Sequence, residues 1–465
     1  MIIKSMAIPN KFIRSNNSFG VFCDSGIVFS ICALIFVLPA SIALLDSFAA
    51  LAVSFYFLKR INSIILDWSP QTASMNFWGK FHFIWKGLSP PENILNRPLQ
   101  ILTGGIFMSV LFSQYPALSL MAFIGKFIKC VFLYFSFIDA FTDEKRIRLF
   151  LGILFLSAFI AVLSGIFQHY TGRDFIKGIL IGTENFVSTH RISSTFFGAN
   201  GFGAYLLPVI ALALHLFYTA IRSKKTWILA GALGLFLALL LTCLCWTYSR
   251  SSWIGYFSLL FAMALLDRHK IFYSAVIFLI CIFIFLPSLN KVRHMQLIVD
   301  QDTSLQKGEG IESILDQGGS GRGAFWRQAV AIIRTSPVWG TGLNTYTRII
   351  KKNPDMKQWW YAHNCYLQMA AETGLIGLAC FLWMIFVLLR NCFYYNHQIK
   401  GLWPLTFLQG AVSGLLGFLV QSFFDNTFYS VQLGVLMWTI FGLIVALMRL
   451  SPLTAAPKKE PVIVL

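Results

Sequence analysis

Apolar runs long enough to cross a bilayer recur along this chain with short polar breaks between them. About twenty consecutive apolar residues suffice for a membrane-spanning helix. The runs predict spans near 25–39, 41–58, 99–113, 117–138, 148–167, 202–221, 226–245, 252–266, 271–289, 364–389, 403–421 and 428–448. The first resembles a signal peptide, but its polar leader is long and a second apolar run follows at once, so an uncleaved helical hairpin is expected. The pattern therefore reads as an all-α integral membrane protein of about twelve transmembrane helices. A bundle of about nine spans occupies 1–289 and includes an outer loop at 168–201. A large outer loop, expected to carry short interfacial helices, follows at 290–363, then three more spans over 364–450 and a tail at 451–465.

Composition agrees with the pattern. Only 12% of the 465 residues are charged and 57% are hydrophobic, whereas about a quarter of an ordinary globular chain is charged. The formal charge of +18 would suggest nucleic acid in a soluble protein, but no nucleic-acid module is present. The basic residues instead sit in short clusters between spans: Lys59 with Arg60, Lys80 and Lys86, Lys145 to Arg148, Arg222 to Lys225. The alternate short loops carry almost none, so the positive-inside rule places both termini in the cytoplasm and loops 168–201 and 290–363 outside. Long loops translocate whatever their charge, so the cations of these two segments do not oppose that orientation. The nine cysteines lie in apolar stretches and suggest neither disulfides nor a zinc site. Cys243 and Cys245 read as small buried thiols.

The residues able to do chemistry gather on the outer side. Arg191 stands about ten residues before a span. Taken alone, it reads as a snorkelling or headgroup-binding arginine. Arg250 is the only charge in a tight outer connection that opens a membrane helix, a costly place unless it meets an anion or cavity water. Arg322 lies in the glycine-rich stretch Gly318 to Gly323, whose amides suit either a phosphate or a hinge. The following segment places Trp326, Val330 and Ile333 on one helical face and stops at Pro337, which suits a helix lying along the membrane interface.

His363 precedes the longest span. The positive end of a helix dipole there favours a neutral ring able to accept a proton, although an idle interfacial histidine fits as well. Lys126 and Lys129, one turn apart within a span, suggest a water-filled cavity that attracts an anion; snorkelling is the alternative. Asp425, between the last two spans, is placed to orient an arginine or histidine, or simply to cap a helix. No paired-carboxylate metal site and no cofactor site is evident.

Several of these segments together resemble the O-antigen ligase and polymerase family of bacterial membrane glycosyltransferases. His363-Asn364, nine residues, then Gly374-x-x-Gly377 resembles the family's H-N-x9-G-x-x-G signature at the end of the large periplasmic loop. Arg191 within Arg-x-Ser-x-Thr-Phe, followed by Asn200, is similar to the first arginine region of the family. Ser249-Arg250-Ser-x-Trp253 is similar to its Ser-Arg-Ser-x-Trp turn, and Gly321-Arg322 with Trp326 to its Gly-Arg-x-x-x-Trp segment. Pro337-x-x-Gly340-x-Gly342 fits the turn before the histidine helix. The likeness is strongest from Arg191 to Gly377.

The resemblance implies transfer of a glycan from an undecaprenyl-diphosphate carrier to an acceptor hydroxyl, on lipid A core or another surface acceptor, at the periplasmic face of the inner membrane. Arg191, Arg250 and Arg322 would neutralise the leaving diphosphate, since the guanidinium fork binds phosphate bidentately. His363 would take the acceptor proton. Lys126, Lys129, Asn364, Trp326 and Asp425 are the expected substrate-binding residues. Direct attack would invert the anomeric centre, and three arginines would supply the charge that a divalent ion otherwise brings. These motifs do not separate a ligase from a polymerase, which takes a second lipid-linked repeat as acceptor. A twelve-span organic-anion transporter is the competitor from another class, but transporters tend to show internal repeats and midplane sites. Here the polar candidates collect at one face.

Overall fold

The structure is a computed structural model that describes residues 17–178, 191–222, 226–267, 322–352, 361–399 and 401–450. Among the described residues all regular elements are helical: α1 (Ser18–Val37), α2 (Ile42–Leu66), α3 (Pro70–Ala73), α4 (Phe77–Leu88), α5 (Asn96–Leu111), α6 (Pro116–Ala140), α7 (Glu144–Thr171), α8 (Ala199–Ile221), α9 (Trp227–Trp246), α10 (Arg250–Leu266), α11 (Arg322–Thr335), α12 (Tyr346–Lys352), α13 (Cys365–Gln398), α14 (Leu402–Gln421) and α15 (Val431–Leu450). Every predicted span but one coincides with a described helix; 271–289 lies outside the described residues. Nine of the described helices are long and apolar enough to cross a membrane, and α10, at 17 residues, is a shorter apolar helix.

Side-chain caps set several of the helix starts. Ser41 accepts from the Leu44 amide at α2, Asp143 from the Arg146 amide at α7, and Ser249 from the Ser252 amide at α10, each satisfying an amide that the helix itself leaves orphaned. The centre of the bundle is α8, α10, α14 and α15. There, small residues let backbones touch, as is usual where lipid supplies no hydrophobic drive between helices. A Cβ on Gly417 would lie 2.7 Å from the Gly255 carbonyl oxygen, and one on Gly414 would lie 2.6 Å from the Pro208 Cα.

Two features differ from the sequence expectation, and a third adds to it. Lys59 and Arg60 are not loop cations: both lie inside α2, only 6% exposed. Lys59 Nζ reaches Asp24 at 2.6 Å and Asp139 at 2.7 Å, and Arg60 reaches Asp139 at 2.9 Å. Carboxylates on two neighbouring helices neutralise them, which the chain order alone does not reveal. The connection after α2 contains two helices, α3 and α4, too short to read as spanning runs. In α11 the side turned to the protein carries Phe325, Ala329 and Ile332, beside the Trp326, Val330 and Ile333 face expected at the membrane interface. Ala329 and Ile332 pack with Tyr346, Ile350, Ala362 and Ala371, with Ile333 partly buried against them, while Val330 is exposed.

Candidate functional site

The longest helix, α13, is broken once. Gly374 has φ +71° and ψ +175°, a conformation open to glycine and strained for other residues. The segment 337–342 crosses that break. Leu375 N–H donates to the Pro337 carbonyl at 2.8 Å, Thr341 N–H to the Ala371 carbonyl at 3.0 Å and Gly342 N–H to the Glu372 carbonyl at 2.9 Å. A Cβ on Gly374 would stand 2.0 Å from the Val338 oxygen, and one on Gly340, itself at φ +69°, 2.4 Å from Glu372 backbone atoms. Glu372, only 1% exposed, accepts from the Asn344 amide at 2.7 Å and the Tyr346 amide at 3.3 Å. The two glycine motifs are thus one backbone crossing, and it fixes the first turns of α13 against segment 337–342.

On that fixed start stands His363. Asn364, 1% exposed, caps α13 by accepting from the Tyr366 and Leu367 amides at 2.9 and 3.0 Å, so its side-chain oxygen is occupied structurally. His363 Nδ1 lies 3.3 Å from Asp425 Oδ1, and the Phe325 ring sits 5.4 Å from the imidazole. Burial pushes the Asp425 carboxyl up, but the His363 hydrogen bond and charge, the Asn426 amide at 2.8 Å and the Asn200 side chain outweigh it and hold its pKa below the ordinary carboxylate value.

The arginines come to the same place from three other segments. Residues 191–192 run along the end of α9: Ile192 N–H donates to the Trp246 carbonyl, and Arg191 Nε to the Thr247 carbonyl at 2.9 Å. Arg191 also donates to Asn200 Oδ1 at 3.0 Å. Burial first, then the like charges of Arg322 and Arg250, lower the Arg191 pKa, with Asp425 opposing. Arg322, at the start of α11, is likewise lowered by burial and Arg250 and raised by Asp425. Arg191 and Arg322 each lie within charge–charge reach of Asp425, and Arg250 within reach of both arginines, so with His363 hydrogen-bonded to Asp425 these residues share one electrostatic neighbourhood. Trp326 lies beside it against Phe423, ring centres 5.5 Å apart, and its shielded indole N–H has no acceptor among the described residues.

Backbone strain concentrates here too. The described non-glycine residues with positive φ are Ser194, Tyr248, Asn344 and His363; three lie in the connections that carry Arg191, Arg250 and His363, and Asn344 is the acceptor of Lys126. Such conformations persist where surrounding structure over-determines them, often at functional sites.

Lys126 and Lys129 do not join this group. Lys126 lies in a π-helical turn, Phe123–Ile128, and donates to Asn344 Oδ1 at 2.9 Å; Lys129 pairs with Asp46 at 2.6 Å. Both line a separate, mostly apolar cavity of about 150 Å³ beside α13 and α15, together with Glu372, Tyr429 and Trp438. The π turn explains the divergence: it alters the angular spacing, so residues three apart take partners on different elements.

Sequence reading left Asn200 without a role, and the structure makes it a link. Its oxygen accepts from Arg191 while its amide serves Asp425. Gln421 was missed altogether; it donates to the Asn200 carbonyl at 2.9 Å and to Ser252 Oγ at 3.0 Å, tying α14 to α8 and α10. A glutamine at the end of an apolar span was the available signal. Among the described residues no cluster of three or more His, Cys, Asp or Glu is placed to hold a metal ion.

Residues 235–382 match the model of the family described as O-Antigen ligase. The resemblance noted on the motifs is borne out over that segment, which holds Arg250, Arg322, Trp326, His363 and Asn364. Arg191, Asp425, Lys126 and Lys129 lie outside it. No curated protein matches the chain.

Proposed function

We propose, from the premise that this multi-pass membrane protein carries an O-antigen ligase family segment, that it transfers a glycan from an undecaprenyl-diphosphate carrier to an acceptor hydroxyl at the periplasmic face of the bacterial inner membrane. The observation that carries the reading is that three arginines and a histidine–aspartate pair, drawn from five separate connections, share one electrostatic neighbourhood. The arginines suit a lipid diphosphate, because a guanidinium keeps its charge and grips phosphate through two parallel N–H donors.

In the proposed step, Nδ1–H of His363 donates to Asp425, which leaves the Nε2 lone pair to accept a proton. The acceptor oxygen bonds to the anomeric carbon as its proton passes to Nε2. The bond from that carbon to the diphosphate oxygen breaks, and its electron pair stays on the diphosphate, where the arginines stabilise the added negative charge. One displacement inverts the anomeric centre. The arginines carry the charge without a divalent ion, so chelation should leave the rate unchanged, and a rate lost to chelator and restored by Mg²⁺ would contradict that part. Lys126 and Lys129, at their separate cavity, would hold a lipid-borne part of donor or acceptor.

The test measures donor binding and single-turnover transfer separately on purified protein. His363→Ala should retain donor binding while transfer falls about 10²- to 10⁴-fold, the usual worth of a general base. Poor donor binding with a normal rate at saturation would remove the histidine from the base role. A knockout identifies the acceptor class: long lipid-linked chains left stranded indicate a ligase, and single repeats on the acceptor indicate a polymerase.

A further inference from the structure

Helix α4, Phe77-Trp-Gly-Lys-Phe-His-Phe-Ile-Trp-Lys-Gly-Leu88, buries none of its 12 residues, although seven of them are aromatic or large aliphatic. Phe77 and Trp78 are each 73% exposed, Trp85 63% and Phe81 50%. These side chains form one continuous strip: Phe77 meets Trp78 edge-on at 5.6 Å, Trp78 meets Phe81 at 6.2 Å, and Phe81 stacks on Trp85 at 6.2 Å. At 100° per residue Phe77, Trp78, Phe81, Ile84, Trp85 and Leu88 fall on one face, with Lys80 and Lys86 on its two flanks.

The opposite side is already occupied. Phe83 packs edge-on against Trp68 at 5.9 Å, and Gly87 lies so close to α2 that a Cβ there would be 2.4 Å from Ile64. The aromatic strip is therefore turned away from the protein by the contact that docks the helix. Next to it, Ile61, Ile65 and Leu66 at the end of α2, a helix of spanning length, are also exposed, at 46, 64 and 57%. The apolar strip continues the lipid-facing flank of a spanning helix. At 12 residues α4 is about 18 Å long, too short to cross the membrane. The α1–α2 turn lies at the site end of the bundle, where Gln432 at the start of α15 donates to the Leu38 carbonyl at 2.6 Å. Leu66 and α4 therefore lie at the other end.

We propose that Phe77–Leu88 is an in-plane membrane anchor on the face opposite the arginine–histidine group. Its aromatic strip sits among the upper acyl carbons of that leaflet, and Lys80 and Lys86 lie at the level of the lipid phosphates. Tryptophan suits this depth because its ring is apolar and its N–H is wet, and a strong apolar face with flanking lysines is the usual make-up of helices that lie in the interface.

The experiment places a nitroxide on Phe81→Cys or Lys86→Cys, in the full chain reconstituted into phosphatidylcholine–phosphatidylglycerol vesicles. The parent chain, whose described cysteines are buried or half-buried, supplies the background spectrum. Both positions are exposed, so neither substitution disturbs a core. The Phe81 label should relax readily with oxygen and weakly with a water-soluble nickel chelate, and the Lys86 label should show the reverse order. A Phe81 label open to the nickel chelate would put the helix in water and overturn the proposal. A Phe81 label shielded from both reagents would mean that protein, such as a second copy of this chain, covers the strip, and would equally overturn it. Neither readout depends on glycan transfer, so the result stands apart from the proposed chemistry.

Discussion

Asp425→Asn separates binding from chemistry more sharply than any other substitution in the site. The carboxylate holds His363 Nδ1 at 3.3 Å and lies within charge–charge reach of the Arg191 and Arg322 guanidiniums. Asparagine keeps the shape and removes one negative charge. Two consequences of opposite sign follow. For donor binding, the loss relieves the diphosphate of a like charge beside it; in this partly solvated site that is on the order of 1 kcal/mol, or about fivefold tighter binding. For transfer, the asparagine amide can donate to Nδ1, which puts the ring proton on Nε2 and removes the lone pair that the acceptor needs. In a well-studied hydrolase triad, the same exchange leaves geometry intact and lowers turnover about 10⁴-fold by fixing the wrong tautomer; here we expect about 10²- to 10⁴-fold. The assay titrates undecaprenyl-diphosphate glycan against purified variant, then follows one turnover at saturating donor. Donor affinity equal or improved with a collapsed rate supports the pairing. An unchanged single-turnover rate would refute it, as would affinity and rate falling together, since then Asp425 would be holding the arginines rather than the histidine.

Arg322→Lys keeps the charge but loses the fork, so it should cost about 2–4 kcal/mol of transition-state stabilisation, nearly as much as Arg322→Ala; a lysine variant with normal kcat/KM would reduce the arginine to a headgroup anchor. Gly374→Ala puts a Cβ 2.0 Å from the Val338 oxygen at φ +71°, and should lower stability by at least the 1–3 kcal/mol of a strained backbone, read as a depressed Tm in detergent; a Tm equal to the parent's would contradict the crossing at the α13 break. Asp425 titrates below its ordinary value of 3.8 when folded, so its contribution to stability is complete above that pH and is lost as pH falls through the depressed folded value; Tm measured from pH 5 downward should show a decline that Asp425→Asn lacks. A cysteine at Lys352 should react with an impermeant maleimide in spheroplasts while one at Lys145 stays silent, and the reverse labelling would overturn the orientation of the site.

What the sequence settled by itself was whatever depends on neighbours in the chain. Bilayer-length apolar runs specify helices because the backbone must satisfy itself in lipid, and so the described spans lie where the hydropathy places them. The signature around His363 and the turn around Arg250 are short motifs and were legible for the same reason. Tertiary structure decided everything that required two distant segments to meet. Lys59 and Arg60 read as loop cations until Asp24 and Asp139 approach from other helices. The lysine pair in α6 read as one cationic pair until a π turn sent the two to different partners. Ala329 and Ile332 rather than Val330 face inward because helical periodicity names candidate stripes, while the surface opposite selects among them. The glycines of the two motifs carried no visible purpose apart, since the reason for each is the backbone of the other. Asp425 is 62 residues from His363 along the chain, and its effect on the imidazole exists only because the loop before α15 folds back over the start of α13: Coulomb energy and hydrogen bonding depend on separation in space, which local sequence does not encode.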